Sequence, residues 1–343
     1  MVDVTVSIVH ASGPELTIAC LESLAGDSGR RTSVEVVVLD NASEDGLPQA
    51  VRERFPDVRV IEQPWRAGFG ANHNAIIRAT ESRYVFVLNP DTRVAAGTID
   101  GLVAYLDAHP EAAVAGPLLR GFDGRQQYSA LRLMSIPVQL VWALSLGQLG
   151  AVMSRVDHPR SVGTVGGTAM LIRREAFDRV GGFDEDFFMY CEEADVAKRL
   201  ERASLERHFV PTVEVLHHRL QSTVTMPERR INEVWRSLEL YLAKHHGRLE
   251  ARILRWLTGL GYALAIVPAE LGRYLPQRLQ PPRSGSWDSR AHRLHVRNAF
   301  RGRQGPGIRE LAEEWNRAHD RRPAFAPPRA EAPPAPADDR SRG

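Results

Sequence analysis

The sequence predicts an α/β fold in which a mostly parallel sheet is flanked by helices and followed by a C-terminal helical extension. Three observations carry this reading. Runs rich in β-branched residues recur at Val4–Val9, Val34–Leu39, Val58–Ile61 and Tyr84–Leu88, each bounded by polar or glycine-rich turns. Between them, Glu15–Ala25, Leu47–Phe55 and Ala71–Thr80 space apolar residues three or four apart, as helices that cover a sheet do. Beyond Glu228 the pattern changes to long, Arg-rich amphipathic helix.

Composition bounds the function. At 343 residues the chain can bury a large core and exceeds the usual single-domain size. A net charge of +2 with 25% charged residues argues against a nucleic-acid partner. The two cysteines, Cys20 and Cys191, form no C-x-x-C motif and no disulfide framework, which fits a reducing cytosol. The start, MVDVTVSIVHAS, has Asp3 and no basic stretch before its apolar run, so it reads as a first buried strand rather than a secretory signal.

The second strand ends on Asp40, a carboxylate able to accept hydrogen bonds from a nucleobase or ribose, and an Asx-rich turn accounts for much of Asn41–Gly46. The loop from Trp65 to Asn74 opens a helix, and its N–H groups and Arg66 could face a diphosphate. It matches neither the P-loop nor the dinucleotide glycine motif, and taken alone it is better explained as a plain tight turn. The fourth strand stops at Asn89-Pro90, leaving Asp91 where the sheet opens; a hard cation bridging phosphates would want that carboxylate.

From Ala112 the alternation loosens: a strand over Ala112–Leu119, a polar loop, a helix over Pro137–Met153 and a strand over Val165–Ile172. Gly181-Gly182 and the apolar run Phe187-Phe188-Met189-Tyr190 then lead into a helix over Glu192–Ala203 headed by Glu192, Glu193 and Asp195. Acids in a first helical turn each stabilise the helix dipole by about 0.3–1 kcal/mol, yet an apolar wall beside them is also what a general base requires. A last strand, Phe209–Leu216, ends in His217-His218, where an imidazole could complete a cation's coordination. His10, His73, His245 and His246 read as surface or satisfied histidines. Ligands in open α/β sheets gather beyond the carboxyl ends of the strands, which places Asp40, Asp91 and His217 together.

The C-terminal part reads as helices over Ile231–His245 and Arg252–Tyr274. Trp256 to Ala269 is free of charge for about fourteen residues, short of the roughly twenty a spanning helix needs. It could lie on a membrane surface with Arg248, Arg252, Arg255 and Arg273 near anionic headgroups, or pack on the catalytic domain. The Pro/Ala-rich tail, 321–343, is expected to be disordered.

Taken in order, LDNASEDG, WRAGFGANHNAI, VFVLNPDT, VGGTAMLIRREAF, GGFDEDFFMYCEEADVAKRL and VLHHRLQST resemble the motif series of inverting GT-A-fold glycosyltransferases of the family 2 type, nearest to bacterial rhamnosyltransferase-like enzymes of cell-wall and surface-polysaccharide synthesis. The resemblance covers about Val4 to His246. It implies a GT-A domain over 1–228, divided into a nucleotide-binding half (1–110) and an acceptor-binding half (111–228), with a helical region at 229–320. It implies that Asp40 and Asn41 contact the base or ribose and that His10, Ala11 and Ser12 line the base. Arg66, Gly68, Asn72 and Asn89 would border the donor. Asp91 and His217 would hold Mg²⁺ or Mn²⁺ against the diphosphate, and Gly167 and Thr168 would lie on the acceptor side. Glu193 would be the general base, with Glu192 in reserve and Asp195 in support. The reaction implied is a single in-line displacement that inverts the anomeric carbon. The donor would be dTDP-rhamnose or a UDP-sugar, the acceptor a glycan or lipid-linked hydroxyl, and the setting the inner face of the cytoplasmic membrane, with peripheral contact through 252–273. Two departures stand out: His10-Ala11-Ser12-Gly13 replaces the usual Tyr-Asn or His-Asn, and Asn89 replaces the first aspartate of Asp-x-Asp.

Two other readings start from the same residues. A non-catalytic, membrane-associated carbohydrate-binding or scaffold protein predicts damaged acids or metal ligands, whereas Asp91, Glu193 and His217 are all present. A sugar nucleotidylyltransferase should carry a Gly-rich, Lys/Arg-bearing signature near the first strand, which His10–Pro14 does not match.

Overall fold

The computed structural model describes residues 1–27, 29–127, 129–144, 157–218, 226–271 and 289–321. The first part alternates β1 (Val2–His10), α1 (Pro14–Ala25), β2 (Val34–Asn41), α2 (Leu47–Arg54), β3 (Arg59–Gln63), α3 (Phe69–Arg78), β4 (Ser82–Leu88), the short β5 (Thr92–Val94) and α4 (Thr98–Ala108). Next come β6 (Ala112–Arg120), β7 (Gln126–Gln127), β8 (Ala130–Leu131), α5 (Ile136–Leu144), β9 (Arg160–Ser161), β10 (Thr164–Val165), β11 (Ala169–Arg173) and α6 (Arg174–Arg179). The acid-headed helix is α7 (Glu192–Arg202), followed by β12 (Glu206–His217), and four helices close the described chain: α8 (Pro227–His245), α9 (Arg248–Leu271), α10 (Ser289–Arg301) and α11 (Ile308–Ala318).

The main sheet runs in the order β3-β2-β1-β4-β11-β6-β12-β5. β1 pairs in parallel with β2 and β4, and β6 with β12, whereas β11 lies antiparallel between β4 and β6. The strand read over Val165–Ile172 is therefore two pieces. Gly166 to Thr168 delivers the chain to the carboxyl edge of the sheet, so β11 must start there and run back, with Ala169 opposite Leu88. Period-2 alternation puts Val4, Val6, Ile8, Phe86 and Leu88 on one face under α1 and α4, and Val85 and Val87 on the other with Phe177, Phe183 and Leu200.

The C-terminal helices build a third core. Ile231, Trp235, Leu238 and Leu242 of α8 enclose Phe187, so the apolar run before α7 is the seat on which this region packs. Of the helix read over Pro137–Met153, residues 145–153 lie outside the described residues, as do Arg273 and the tail 322–343. Among the described residues no helix is long and apolar enough to cross a membrane.

Candidate functional site

At the carboxyl end of β2, Asp40 is 6% exposed and forms part of a cleft of about 690 Å³ that also reaches Glu62, Gln63, Trp315 and His319. Asp40 Oδ2 accepts a bond from the Ser43 N–H at 3.3 Å, and Oδ1 is buried without a partner. A buried acceptor left unpaired costs about 1–3 kcal/mol. His10, Ala11 and Ser12 do not line the cleft. His10 is fully buried, with Nδ1 2.8 Å from Thr17 Oγ1 and Nε2 2.9 Å from Asp45, whereas Ala11 and Ser12 are exposed elsewhere. His10, Asp40 and Asp45 lie close enough together to hold a cation, but both His10 nitrogens already have protein partners.

Asn72, His73 and Asn74 of the Trp65–Asn74 motif are engaged within the protein. Asn72 is 1% exposed; its Oδ1 accepts from Gln63 Nε2 at 2.7 Å and its Nδ2 donates to Ala67 O at 3.2 Å. Asn41 Oδ1 accepts from the Ala67 N–H at 2.8 Å, so the two amides set the loop's backbone. His73 is bonded to Ser7 at 2.7 Å, and burial holds its imidazole down at about 3, hence neutral. Asn74 grips both backbone groups of Phe183, at 2.8 and 3.1 Å. A Cβ on Gly68 would overlap the Phe188 carbonyl, which accepts from Phe69 N–H at 2.8 Å. The motif thus latches α3 to the segment that leads into α7.

Asp91 and His217 meet as the sequence motifs led us to expect. His217 Nε2 lies 3.5 Å from Asp91 Oδ1, and both side chains are 13% exposed. β5 and β12 bring them together by pairing Thr92 with His217, and the His218 N–H donates to Asp91 O at 2.8 Å. Gln127, which sequence reasoning missed, bonds His217 Nδ1 through its Oε1 at 2.7 Å and donates its Nε2 to His217 O at 3.0 Å. An acceptor on Nδ1 puts the proton there and leaves Nε2 with a lone pair facing Asp91. One carboxylate oxygen and one such nitrogen suit a divalent cation whose remaining positions are filled by ligand oxygens. Asn89 donates its N–H to Thr168 O at 2.9 Å, so Thr168 stands beside this pair, and Gly167 lies against the Phe69 ring.

Two successive non-glycine residues, Tyr190 (φ 71°) and Cys191 (φ 66°), take the left-handed conformation immediately before α7. Each costs of order 1–3 kcal/mol, strain that persists only where the surroundings impose it and that collects at functional sites. Phe187 and the Ser237 hydroxyl, which donates to Met189 O at 2.7 Å, fix the turn. Glu192, 4% exposed, has an unpartnered Oε2. Burial, and then the charge of Glu193 beside it, raise the Glu192 carboxyl well above its ordinary value; burial raises that of Glu193. Like charges crowded together cannot both ionise readily, so the two carboxyls titrate as a pair above the ordinary carboxylate range. Asp195 does not join them. It is fully buried and paired with Arg199, Lys244 and His245, which fastens α7 to α8.

A sequence profile of glycosyl transferase family 2 matches residues 6–181. The N-acetylglucosaminyl-diphospho-decaprenol L-rhamnosyltransferase of Mycobacterium tuberculosis (strain ATCC 25618 / H37Rv) is 33% identical over 270 residues, covering 73% of this chain and 87% of that protein. Rhamnosyltransferase WbbL of Escherichia coli (strain K12) is 27% identical over 160 residues, 44% of this chain and 61% of its own. Among solved structures, the mannosyltransferase PcManGT from Pyrobaculum calidifontis, in complex with GDP-Man and Mn²⁺, superposes with a TM-score of 0.59 at 18% identity, over 89% of this chain and 90% of that one; the likeness shows a GT-A-type fold. A profile match over half the chain, joined to a relative one-third identical over most of its own length, makes this protein a sugar-transferring enzyme, and it belongs to glycosyl transferase family 2.

Proposed function

We propose that the enzyme transfers L-rhamnose from a nucleoside diphosphate to a hydroxyl of a diphosphate-lipid-linked glycan, with inversion at the anomeric carbon. The single observation that carries the donor side is the Asp91–His217 pair at the open edge of the sheet, its tautomer set by Gln127. The 33% identical relative, whose name specifies that sugar and a decaprenol-linked acceptor, supports the choice of substrates.

In this reading residues 1–110 hold the nucleotide, 111–228 the acceptor, and 229–320 form a helical region set on both. Asp40 accepts a hydrogen bond from the base or ribose through its carboxylate. Glu193 takes the proton of the acceptor hydroxyl as its oxygen bonds to the anomeric carbon, and the bond from that carbon to the diphosphate oxygen breaks with its electron pair on the diphosphate. Asp91 and His217 would hold Mg²⁺ or Mn²⁺, which supplies charge neutralisation for the departing diphosphate when bound.

A lipid-borne acceptor fits an apolar surface described by two helices. Trp256, Leu260, Leu264 and Val267 follow one face of α9 and are 38–59% exposed, and Leu140, Val141 and Leu144 of the adjoining α5 are exposed as well. Patches of this kind mark interaction surfaces. Arg248 and Arg252 stand exposed near one end, whereas Arg255 bonds Ala299 O and Asn298 O at 2.7 and 2.8 Å and pairs with Glu239, so it is committed to α10 and α8 rather than to headgroups. The surface suits the inner face of the cytoplasmic membrane.

The test is transfer by the purified full chain from dTDP-L-rhamnose and a panel of UDP- and GDP-sugars to a lipid-linked N-acetylglucosaminyl diphosphate. We expect the rhamnose donor to be preferred and a product of inverted configuration. Preference for another donor sugar would overturn the rhamnose assignment, and retained configuration would overturn the mechanism.

A further inference from the structure

The nucleotide cleft has a wall that does not come from the sheet domain. α11 lies beyond the 6–181 profile match, yet Trp315, His319 and Arg321 line the cleft opposite Asp40 and Gln63. Among the described residues lining it, Trp315 and His319 are the only aromatic rings.

This wall is built in rather than laid on. Asn316, 7% exposed, clasps the Arg66 peptide from both sides: its Oδ1 accepts the Arg66 N–H at 2.8 Å and its Nδ2 donates to Arg66 O at 3.0 Å. The Arg66 guanidinium lies 4.4 Å from the centre of the Trp315 ring, a cation–π contact that holds the indole in place. At the other end of α11, buried Glu233 of α8 accepts the Arg309 N–H at 2.9 Å. The His319 imidazole, on an exposed residue, stacks on Trp315 at 4.0 Å with only 19° between the planes. A flat ring thus already rests on the indole, and its Nδ1 lies 2.8 Å from Trp315 O, so a ligand taking its place must exchange that one bond.

We infer that Trp315 is the stacking platform for the nucleobase of the donor, with His319 occupying the base's place when no nucleotide is bound. The inference rests on the proposed reading of this cleft as the nucleotide half. An aromatic face gives stacking that tolerates any base, and the Asp40 carboxylate in the same cleft adds an acceptor suited to the imide N–H of uracil or thymine. The C-terminal helix is then part of the donor site and sets how tightly the base is held.

The experiment is calorimetry on the full chain with UDP, dTDP and inorganic pyrophosphate, each with Mn²⁺, for the wild type, Trp315→Leu, Trp315→Phe and Asp40→Asn. Loss of the stacking face should weaken UDP and dTDP about 5- to 150-fold. Pyrophosphate, which has no base, should bind Trp315→Leu as it binds the wild type. Trp315→Phe keeps a ring and should recover most of the loss. Equal weakening of pyrophosphate and UDP in both Trp315 variants would reduce the indole to packing and overturn the inference. So would unchanged UDP affinity in Trp315→Leu while Asp40→Asn weakens it, which leaves the cleft assignment standing. If Asp40→Asn has no effect, or the wild type binds no nucleotide, the cleft assignment falls and the platform with it. Should Trp315→Leu fail to fold, Trp315→Phe against Asn316→Ala decides: releasing the clasp should cost UDP more than it costs pyrophosphate.

Discussion

Replacing Asp195 with Asn tests the junction between the acid-headed helix and the C-terminal helices. The carboxylate is fully buried and meets Arg199 Nε at 2.8 Å, Lys244 Nζ at 2.7 Å and His245 Nε2 at 2.7 Å. Burial alone would raise its pKa, but the His245 hydrogen bond, Arg199 and Lys244 outweigh it and hold the group at about 2 against an ordinary 3.8. At 1.36 kcal/mol per pH unit that gap is worth about 2.4 kcal/mol. Because the folded value is depressed, the contribution is complete above about pH 5 and is lost as pH falls through 3.8 toward 2. Removing one member of a buried ionic cluster costs roughly 3–5 kcal/mol when its partners are left unpaired. Urea unfolding followed by circular dichroism should therefore show D195N less stable by about 2.4–5 kcal/mol at pH 7, with the difference narrowing by roughly 1 kcal/mol at pH 3. A difference under about 1 kcal/mol at pH 7, or one that is the same at both pH values, refutes the assignment.

Other outcomes follow from the site. E193Q should lower kcat about 10²- to 10⁴-fold while donor affinity holds, and E192Q should lose far less; the reverse order would exchange their roles. Because burial raises the Glu193 carboxyl and a base must be ionised, the acid limb of the wild-type kcat profile should lie above the usual carboxylate range; a limb near pH 4 would contradict this. D91A and H217A should each abolish the Mn²⁺ dependence of nucleotide binding by calorimetry, and an undiminished Mn²⁺ effect in both would reject the pair as ligands. Trp256→Glu with Leu260→Glu should release the protein from anionic vesicles in a flotation assay without changing its fold; full flotation would argue against the α9 stripe as the membrane face.

The alternation of strand and helix through β4 was legible because each element carries its own periodicity, and Asp40 and Asp91 were legible because each interrupts an apolar strand. Partnership between strands is different. Nothing local in Ala169–Arg173 announces that it runs backwards between β4 and β6, since that direction follows from where the preceding loop leaves the chain. The WRAGFGANHN loop read as ligand-facing because its N–H groups open a helix beside the cationic Arg66; the structure turns Asn72 inward, where Gln63 and Ala67 O satisfy it, and His73 is a satisfied histidine bonded to Ser7. Asp195 looked like a third acid beside Glu192 and Glu193, but its position puts it on the face of α7 that meets Lys244 and His245, residues some fifty positions later. Gln127 carried no signal at all, because its role exists only once β7 stands beside β6 and β12.

The Asn316–Arg66 clasp also bears on how the molecule is made. Its two residues are separated by 250 positions, so the sheet edge that carries Asp40 is synthesised long before the wall that completes its cleft. At about 5–20 residues per second, translation separates them by roughly 12–50 s. During that interval the nascent chain can fold β1 to β4 while the cleft stays open on one side. On the proposed reading the donor cleft is therefore among the last features to be finished, and a chain interrupted before α11 would carry the acids assigned to the reaction but lack Trp315, His319 and Arg321 from the cleft's lining.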